Sequence, residues 1–207
     1  GYLLLGYIIE KVTGQTYGDY LHQYLFQKAG MSNTGLFQQD SVTLKRAFGY
    51  TQTPNGIITQ MIIASKLGFS DGGLYSTLSD LLAWTSALRL YKIIGKESLA
   101  KMNQPNREEG GAGYGIFIDH MFDRKVRFHT GNIPGYSSIM LNYVEDDVTI
   151  IILANRETNL DFFPKGIAAI MFNKDVVMPY QHKPIELESE SLQQYTGKFE
   201  AAFPFEI

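Results

Sequence analysis

His129-Thr130-Gly131-Asn132-Ile133-Pro134-Gly135-Tyr136-Ser137-Ser138 is a polar, glycine-punctuated strip that runs straight into the apolar alternation of Ile139, Leu141 and Tyr143. Alternation with a period of two marks a strand with one buried face, so a polar strip at the start of that strand is suited to line a cleft. Glycines at 131 and 135 remove side chains where another group must approach the backbone, and the N–H groups of such a segment can donate to an anionic or carbonyl oxygen. Taken alone, the strip reads either as a loop ahead of a hairpin or as one wall of a binding site. Its flanks have to decide.

On the C-terminal side a strand is expected over about 136–144, then a turn at Glu145-Asp146-Asp147. Val148 to Ala154 is a nearly continuous apolar run, expected to lie centrally in a sheet. On the N-terminal side Gly110-Gly111-Ala112-Gly113-Tyr114-Gly115 leads into a short strand at Ile116 to Ile118, Asp123-Arg124 makes a turn, and Val126 to Thr130 returns into the strip. Short successive connections imply antiparallel order. A helix is expected from Leu160 to Phe172, with Pro164 tolerated near its first turn and Phe163, Ile167, Ile170 and Met171 facing the sheet.

Further upstream, Leu78, Leu81, Leu82, Thr85 and Leu88 form a helical stripe with Trp84 beside it. Ser76 or Thr77 is placed to cap this helix, with Asp80 as its capping-box acid. Capping does not explain the preceding Gly72-Gly73. A double glycine is entropically costly and marks close backbone approach or positive φ, so this pair is a candidate wall of the same cleft. Between Met31 and Ser70 periodicity is weak and the reading is a long irregular connection with a turn at Pro54-Asn55-Gly56.

At the N-terminus Tyr2, Leu5, Ile8, Ile9 and Val12 share one helical face, and Gly14 stands where a left-handed cap belongs. Thr16 with Asp19 opens a second helix with Tyr20, Leu21, Tyr24 and Leu25 as its buried stripe and Gly30 at its end. The chain starts inside an apolar helical pattern without an initiator Met, and the expectation is a segment of something longer. The fold class expected is mixed α/β of the α+β kind, an antiparallel sheet flanked by helices plus a helical region. The helical region covers about 1–105, and the sheet with its terminal helix about 110–172. An acidic stretch over 173–191 reads as a linker, and 192–207 as the start of a further β-rich domain.

Composition narrows the function. The 207 residues are 44% hydrophobic and carry 18 basic against 21 acidic side chains, a net charge of -3, so neither nucleic acid nor an anionic membrane is expected as a partner. No apolar run approaches the roughly 20 residues of a membrane span. With no cysteine there is no disulfide, thiolate site or cysteine nucleophile, and four scattered histidines without H-E-x-x-H spacing predict no metal site. No cofactor is expected.

Four blocks carry a resemblance: Gly1-Tyr2-Leu3-Leu4-Leu5-Gly6-Tyr7-Ile8-Ile9-Glu10-Lys11-Val12-Thr13-Gly14, Gly30-Met31-Ser32-Asn33-Thr34, Gly72-Gly73-Leu74-Tyr75-Ser76-Thr77-Leu78-Ser79-Asp80-Leu81, and the opening strip. In this order they resemble the serine beta-lactamase-related family, which includes class C beta-lactamases, penicillin-binding DD-peptidases and esterases. The resemblance implies a nucleophilic serine in S-x-x-K, a proton-relaying tyrosine in Y-x-N, and a K-T-G or H-x-G motif on a strand edging the site. His129-Thr130-Gly131 matches the third motif. By that match His129 and Asn132 are the catalytic candidates, His129 holding substrate and the backbone N–H of Asn132 donating to the oxyanion. Thr130, Gly131, Gly72 and Gly73 are the substrate-binding candidates.

The chain is expected to lack both S-x-x-K and Y-x-N, the family's serine and tyrosine motifs being expected only ahead of Gly1, with Tyr2 a helix-packing residue. What the resemblance implies is part of a serine hydrolase acting on a small-molecule or peptide substrate outside the cytoplasm, this fragment itself being inactive. The alternative is a non-catalytic peptidoglycan-binding or scaffold relative. An exposed sheet edge and apolar face are expected to promote self-association.

Overall fold

The strip and its flanks form a five-stranded antiparallel sheet in the order β5-β6-β7-β8-β9: Gly111–Ala112, Phe117–Met121, Arg124–Ile133, Tyr136–Tyr143 and Val148–Ala154. The computed structural model describes residues 1–37, 46–60, 69–107, 110–160 and 162–176, with the short strands Lys198–Phe199 (β10) and Phe205–Glu206 (β11). Contacts divide the chain into two units, Gly1–Val177 and Met178–Ile207; in the second, β10 and β11 pair antiparallel. Most of the expected linker and of 192–207 lies outside the described residues.

The sheet connections are short, as the sequence predicts for the strands from β6 onward, and the two-residue β5 is an addition to the expected sheet. The β6–β7 turn falls one residue earlier than expected, at Phe122 and Asp123, which both adopt positive φ (56° and 59°), the mirror-image turn that matches strand twist. The strip is not a loop: β7 runs to Ile133 and carries His129 to Asn132 in regular register with β8. β9 departs from expectation. Among the described residues it is the last strand in the order, not a central one. Its apolar run comes from cover on both faces, by the helix Leu78–Arg89 (α4) on one and Phe162–Met171 (α6) on the other.

The main core lies between the sheet and α6, where Val126, Ile139, Leu141, Tyr143, Ile150, Leu160 and Ala168 are buried. α6 is rotated from the expected pose. It packs through Pro164, Ala168 and Ala169, while Phe163, Ile167, Ile170 and Met171 are 39–69% exposed. Small residues let the helix approach the Tyr143 layer closely, and the large side chains then point away.

The N-terminal helix Tyr2–Thr13 (α1) ends as predicted at Gly14, with φ 69°, but its apolar face is not buried: Tyr2, Leu5, Ile8 and Val12 are 51–80% exposed. Gly6 is its buried residue, set against Phe69 and Ser70 so closely that a Cβ on it would meet Ser70 Oγ at 2.2 Å, and the Tyr7 ring lies 4.9 Å from that of Phe69. Thr16 caps the next helix Tyr17–Leu21 (α2) through the N–H of Asp19. A π-turn at His22–Phe26 precedes Gln27–Ala29 (α3). The wider turn moves the buried position from Leu25 to Phe26, and Tyr24 is exposed.

The connection expected to be irregular contains a two-residue strand Gly35–Leu36 (β1) paired with Leu74–Tyr75 (β4), and a hairpin of Gly49–Thr53 (β2) and Gly56–Gln60 (β3) around the Pro54-Asn55 turn. Thr77 caps α4 by accepting from Asp80 N–H, but the Asp80 carboxylate does not reach back to close a capping box. Asp80 is buried and its Oδ2 accepts from Asn33 N–H at 2.7 Å and from Thr34 Oγ1 at 2.8 Å, with the Thr34 and Ser76 hydroxyls 2.7 Å apart. This tie holds the Gly30–Thr34 block to the start of α4 and turns Asp80, Ala83, Trp84 and Ala87 inward, leaving Leu78 and Leu82 53% exposed.

Candidate active site

Backbone parity on β7 determines which groups the strip offers. The two-residue hairpins on either side close on Met121↔Arg124 and Ile133↔Tyr136, and closing pairs exchange both backbone hydrogen bonds. Arg124, Val126 and Phe128 therefore direct their N–H and C=O at β6, and His129, Gly131 and Ile133 direct theirs at β8. Thr130 and Asn132 point the same way as Phe128. The β6 ladder stops at Phe117↔Phe128, so the backbone groups of Thr130 and Asn132 face an edge that no strand pairs among the described residues.

Side chains divide by the same alternation. Cross-strand partners share a face, so Arg127 with Asn142, His129 with Met140 and Gly131 with Ser138 lie on the side of α4. His129 and Thr130 are exposed, and the His129 ring stacks on Phe117 at 5.6 Å between centroids. A Cβ on Gly131 would lie 2.4 Å from Ser138 Oγ, so the missing side chain gives the Ser138 hydroxyl its place. The turn that ends the strip is tethered from outside: Gly135 N–H donates to Glu157 Oε1 at 2.9 Å, the Thr51 hydroxyl donates to the same oxygen at 3.0 Å, and Tyr136 Oη–H donates to Ala47 O at 2.8 Å.

A cavity of about 50 Å3 adjoins His129, bounded also by Arg127 and Asn142 from the sheet, Trp84 from α4, and Met102 and Asn103 at the end of the helix Lys96–Met102 (α5). Arg127 Nη2 donates to Asn142 Oδ1 at 2.7 Å, and Asn142 Nδ2 donates to Thr149 Oγ1 at 2.8 Å, giving a polar chain across three strands. Burial pushes the Arg127 guanidinium below its ordinary pKa, and it remains cationic at neutral pH. Sequence reading missed Arg127 and Asn103. The signal available was the alternation that puts Arg127 on the His129 face.

Gly72 and Gly73 stand apart from this cavity. Gly72 is exposed, lacks positive φ and has nothing within 4 Å of a Cβ position, so neither reason for a glycine applies there. Gly73 is buried, donates to Phe69 O and accepts from Phe37 N–H, extending the β1–β4 pair. One string corrects the expectation that the S-x-x-K spacing lies only ahead of Gly1: Ser98-Leu99-Ala100-Lys101 has it. It sits on α5, where Leu99 is buried and Ser98 and Lys101 are exposed. Neither residue lines the cavity beside His129.

Helices packed on an antiparallel sheet are also the architecture of the solved penicillin-binding proteins to which this chain is similar. The family model described as Beta-lactamase matches residues 1–172, and the chain belongs to that family. Penicillin-binding protein 4* of Bacillus subtilis is 26% identical over 96% of this chain and 49% of its own length. The octameric penicillin-binding protein homologue of Pyrococcus abyssi superposes with a TM-score of 0.75 at 26% identity, over 84% of this chain and 42% of that one. The D-amino acid amidase of Ochrobactrum anthropi, solved with L-phenylalanine amide, gives 0.67 at 26% identity, over 82% and 53%. The chain thus spans about half the length of the proteins it resembles.

Proposed function

We propose that these residues form one wall of a serine hydrolase that acts through an acyl-enzyme on an amide or ester, with a D-alanyl peptide, a β-lactam or a small ester as substrate. The open edge at Thr130 and Asn132, with His129 beside it, is the observation that carries this reading. A serine oxygen attacks the substrate carbonyl, its proton passes to a base, and the carbonyl oxygen becomes an oxyanion. An outward N–H at Asn132 is suited to donate to that oxygen, and removal of one such donor typically lowers the rate by about 100- to 1000-fold. Collapse breaks the C–N or C–O bond as the leaving atom takes up the serine's proton, which releases the amine or alcohol or, in a β-lactam, opens the ring, and water then releases the acyl group. His129 faces the substrate, and Thr130 and Gly131 border it.

Serine and base come, in this reading, from residues outside 1–207, and Ser98 is not the nucleophile. The amidase among the similar structures favours an amide substrate. The test is to express the protein with the residues that precede Gly1 and to assay a D-amino acid amide, a D-alanyl dipeptide and a chromogenic cephalosporin. Turnover lost in His129→Ala supports the proposal, and turnover unchanged in that variant contradicts it. If the preceding residues lack S-x-x-K or Y-x-N, the non-catalytic peptidoglycan-binding reading replaces it.

The same relationship to penicillin-binding proteins favours an extracytoplasmic location, checked by cell fractionation; no helix among the described residues is long and apolar enough to cross a membrane. Residues 173–191 serve as a linker and 192–207 open a further β-rich domain in this proposal, which limited proteolysis between the two parts would test.

A further inference from the structure

The β6 ladder stops at Phe117↔Phe128, so Phe117 stands at the head of the open edge that begins at Thr130. Its ring lies 5.5 Å from that of Phe128 and, stacked at 25°, 5.6 Å from that of His129. Phe128 packs toward the core under α6, whereas His129 is on the side of α4. A ring that reaches both lies across the edge of the sheet, and there it is 41% exposed. A substrate segment laid along Thr130 and Asn132 would run in the lane of β6 and meet the end of that strand at Phe117.

The hairpin that carries Phe117 is pinned, and His129 is not. Ala112 pairs with Phe117 from β5, Gly113 N–H donates to Ile116 O at 2.9 Å, and Tyr114 N–H donates to Met102 O at 3.0 Å. A Cβ on Gly113 would lie 2.2 Å from that Met102 oxygen, so the glycine lets the turn dock on the end of α5. Among the described residues the exposed His129 ring makes no hydrogen bond or ion pair. An exposed imidazole that is free to rotate must lose that freedom when it acts, and a fixed aromatic face beside it removes the freedom beforehand.

We propose that Phe117 is a positioning residue for His129: its ring, held by the 111–117 hairpin, fixes the imidazole at the head of the open edge. The stacking stands on its own, and its bearing on catalysis rests on the function proposed above.

NMR on the 207-residue chain tests the positioning without turnover. The Phe117 and His129 ring protons should show direct cross-peaks, and the carbon-bound His129 ring protons should resonate upfield of those of the exposed His120. Phe117→Leu should move them downfield toward the His120 values while the resonances of Tyr143 in the core stay in place, and Phe117→Tyr should keep the parent values. In the protein carrying the residues that precede Gly1, Phe117→Leu should lower kcat for a D-amino acid amide by about 10- to 100-fold with KM little changed, and Phe117→Tyr should retain the parent kcat. Cross-peaks absent in the parent, or His129 resonances unmoved in Phe117→Leu, overturn the proposal. So does a kcat unchanged in Phe117→Leu where His129→Ala abolishes turnover. Turnover indifferent to His129→Ala instead overturns the function reading, and with it the catalytic bearing of Phe117, while the cross-peaks would still uphold the positioning.

Discussion

Gly131 and Ser138 face each other across β7 and β8 so closely that a Cβ on the glycine would stand 2.4 Å from the serine Oγ. Gly131→Ala should nevertheless cost less than about 1 kcal/mol, because a change of rotamer moves the Ser138 hydroxyl aside and the Ser138 Cβ, at 3.8 Å, is in ordinary contact. Placed in a Ser138→Ala background the same change should be neutral or slightly stabilising, because the obstacle is gone and glycine is a poor strand residue. Urea unfolding of the two single variants and the double variant measures the coupling.

Asp80 supports a second prediction. Its buried carboxylate serves Asn33 N–H and Thr34 Oγ1, and Asp80→Ala leaves Asn33 N–H without an acceptor and the Thr34 hydroxyl with only Ser76 Oγ to turn to. A loss of about 2–4 kcal/mol is expected, with faster amide exchange at Asn33. Asp80→Asn, which keeps an acceptor, should lose less. Denaturant midpoints rank the three proteins.

These two sites show where the sequence is readable. Alternation at Ile139, Leu141 and Tyr143 identifies β8 because burial on one face imposes the period directly, and Gly14 and Gly30 end helices because φ is positive there. Asp80 and Thr77 also look like a local cap, and half of that is right. The carboxylate's partners lie 46 and 47 residues away, which no local pattern encodes. Orientation was least legible. α1 and α6 form where their periodicity says, yet their large apolar side chains are exposed, since which stripe is buried depends on what else is packed against it. In the strip, H-T-G-N was legible as a motif, but the direction of the Asn132 N–H follows only from hairpin register.

Tyr143 gives a pH dependence. Burial, and then the nearby charge of Asp146, raise its phenol above the usual value. A raised folded-state pKa stabilises the protein fully below the unfolded value, about 10, and that stability is lost as pH rises through the folded value. Melting temperature should therefore fall more steeply between about pH 9 and about pH 11 in the parent than in Tyr143→Phe. The variant forgoes the Oη–H to Met121 Sδ contact and should melt slightly lower at neutral pH.

The exposed stripe Phe163, Ile167, Ile170 and Met171 on α6, with an edge of β9 that no strand pairs among the described residues, predicts self-association of the 207-residue chain. Light scattering should report a mass above that of the monomer, and Ile170→Lys with Ile167→Lys should reduce it. A dilute parent that is already monomeric contradicts this.

The central claim, that His129 to Asn132 present substrate-binding and oxyanion groups to a serine from outside these residues, is tested most directly by intact-mass measurement after exposure to a fluorophosphonate and to benzylpenicillin. The chain 1–207 should gain no mass, whereas the protein carrying the preceding residues should gain one adduct on a serine ahead of Gly1. Stoichiometric labelling of the chain alone, on Ser98 or any other serine, would contradict the account.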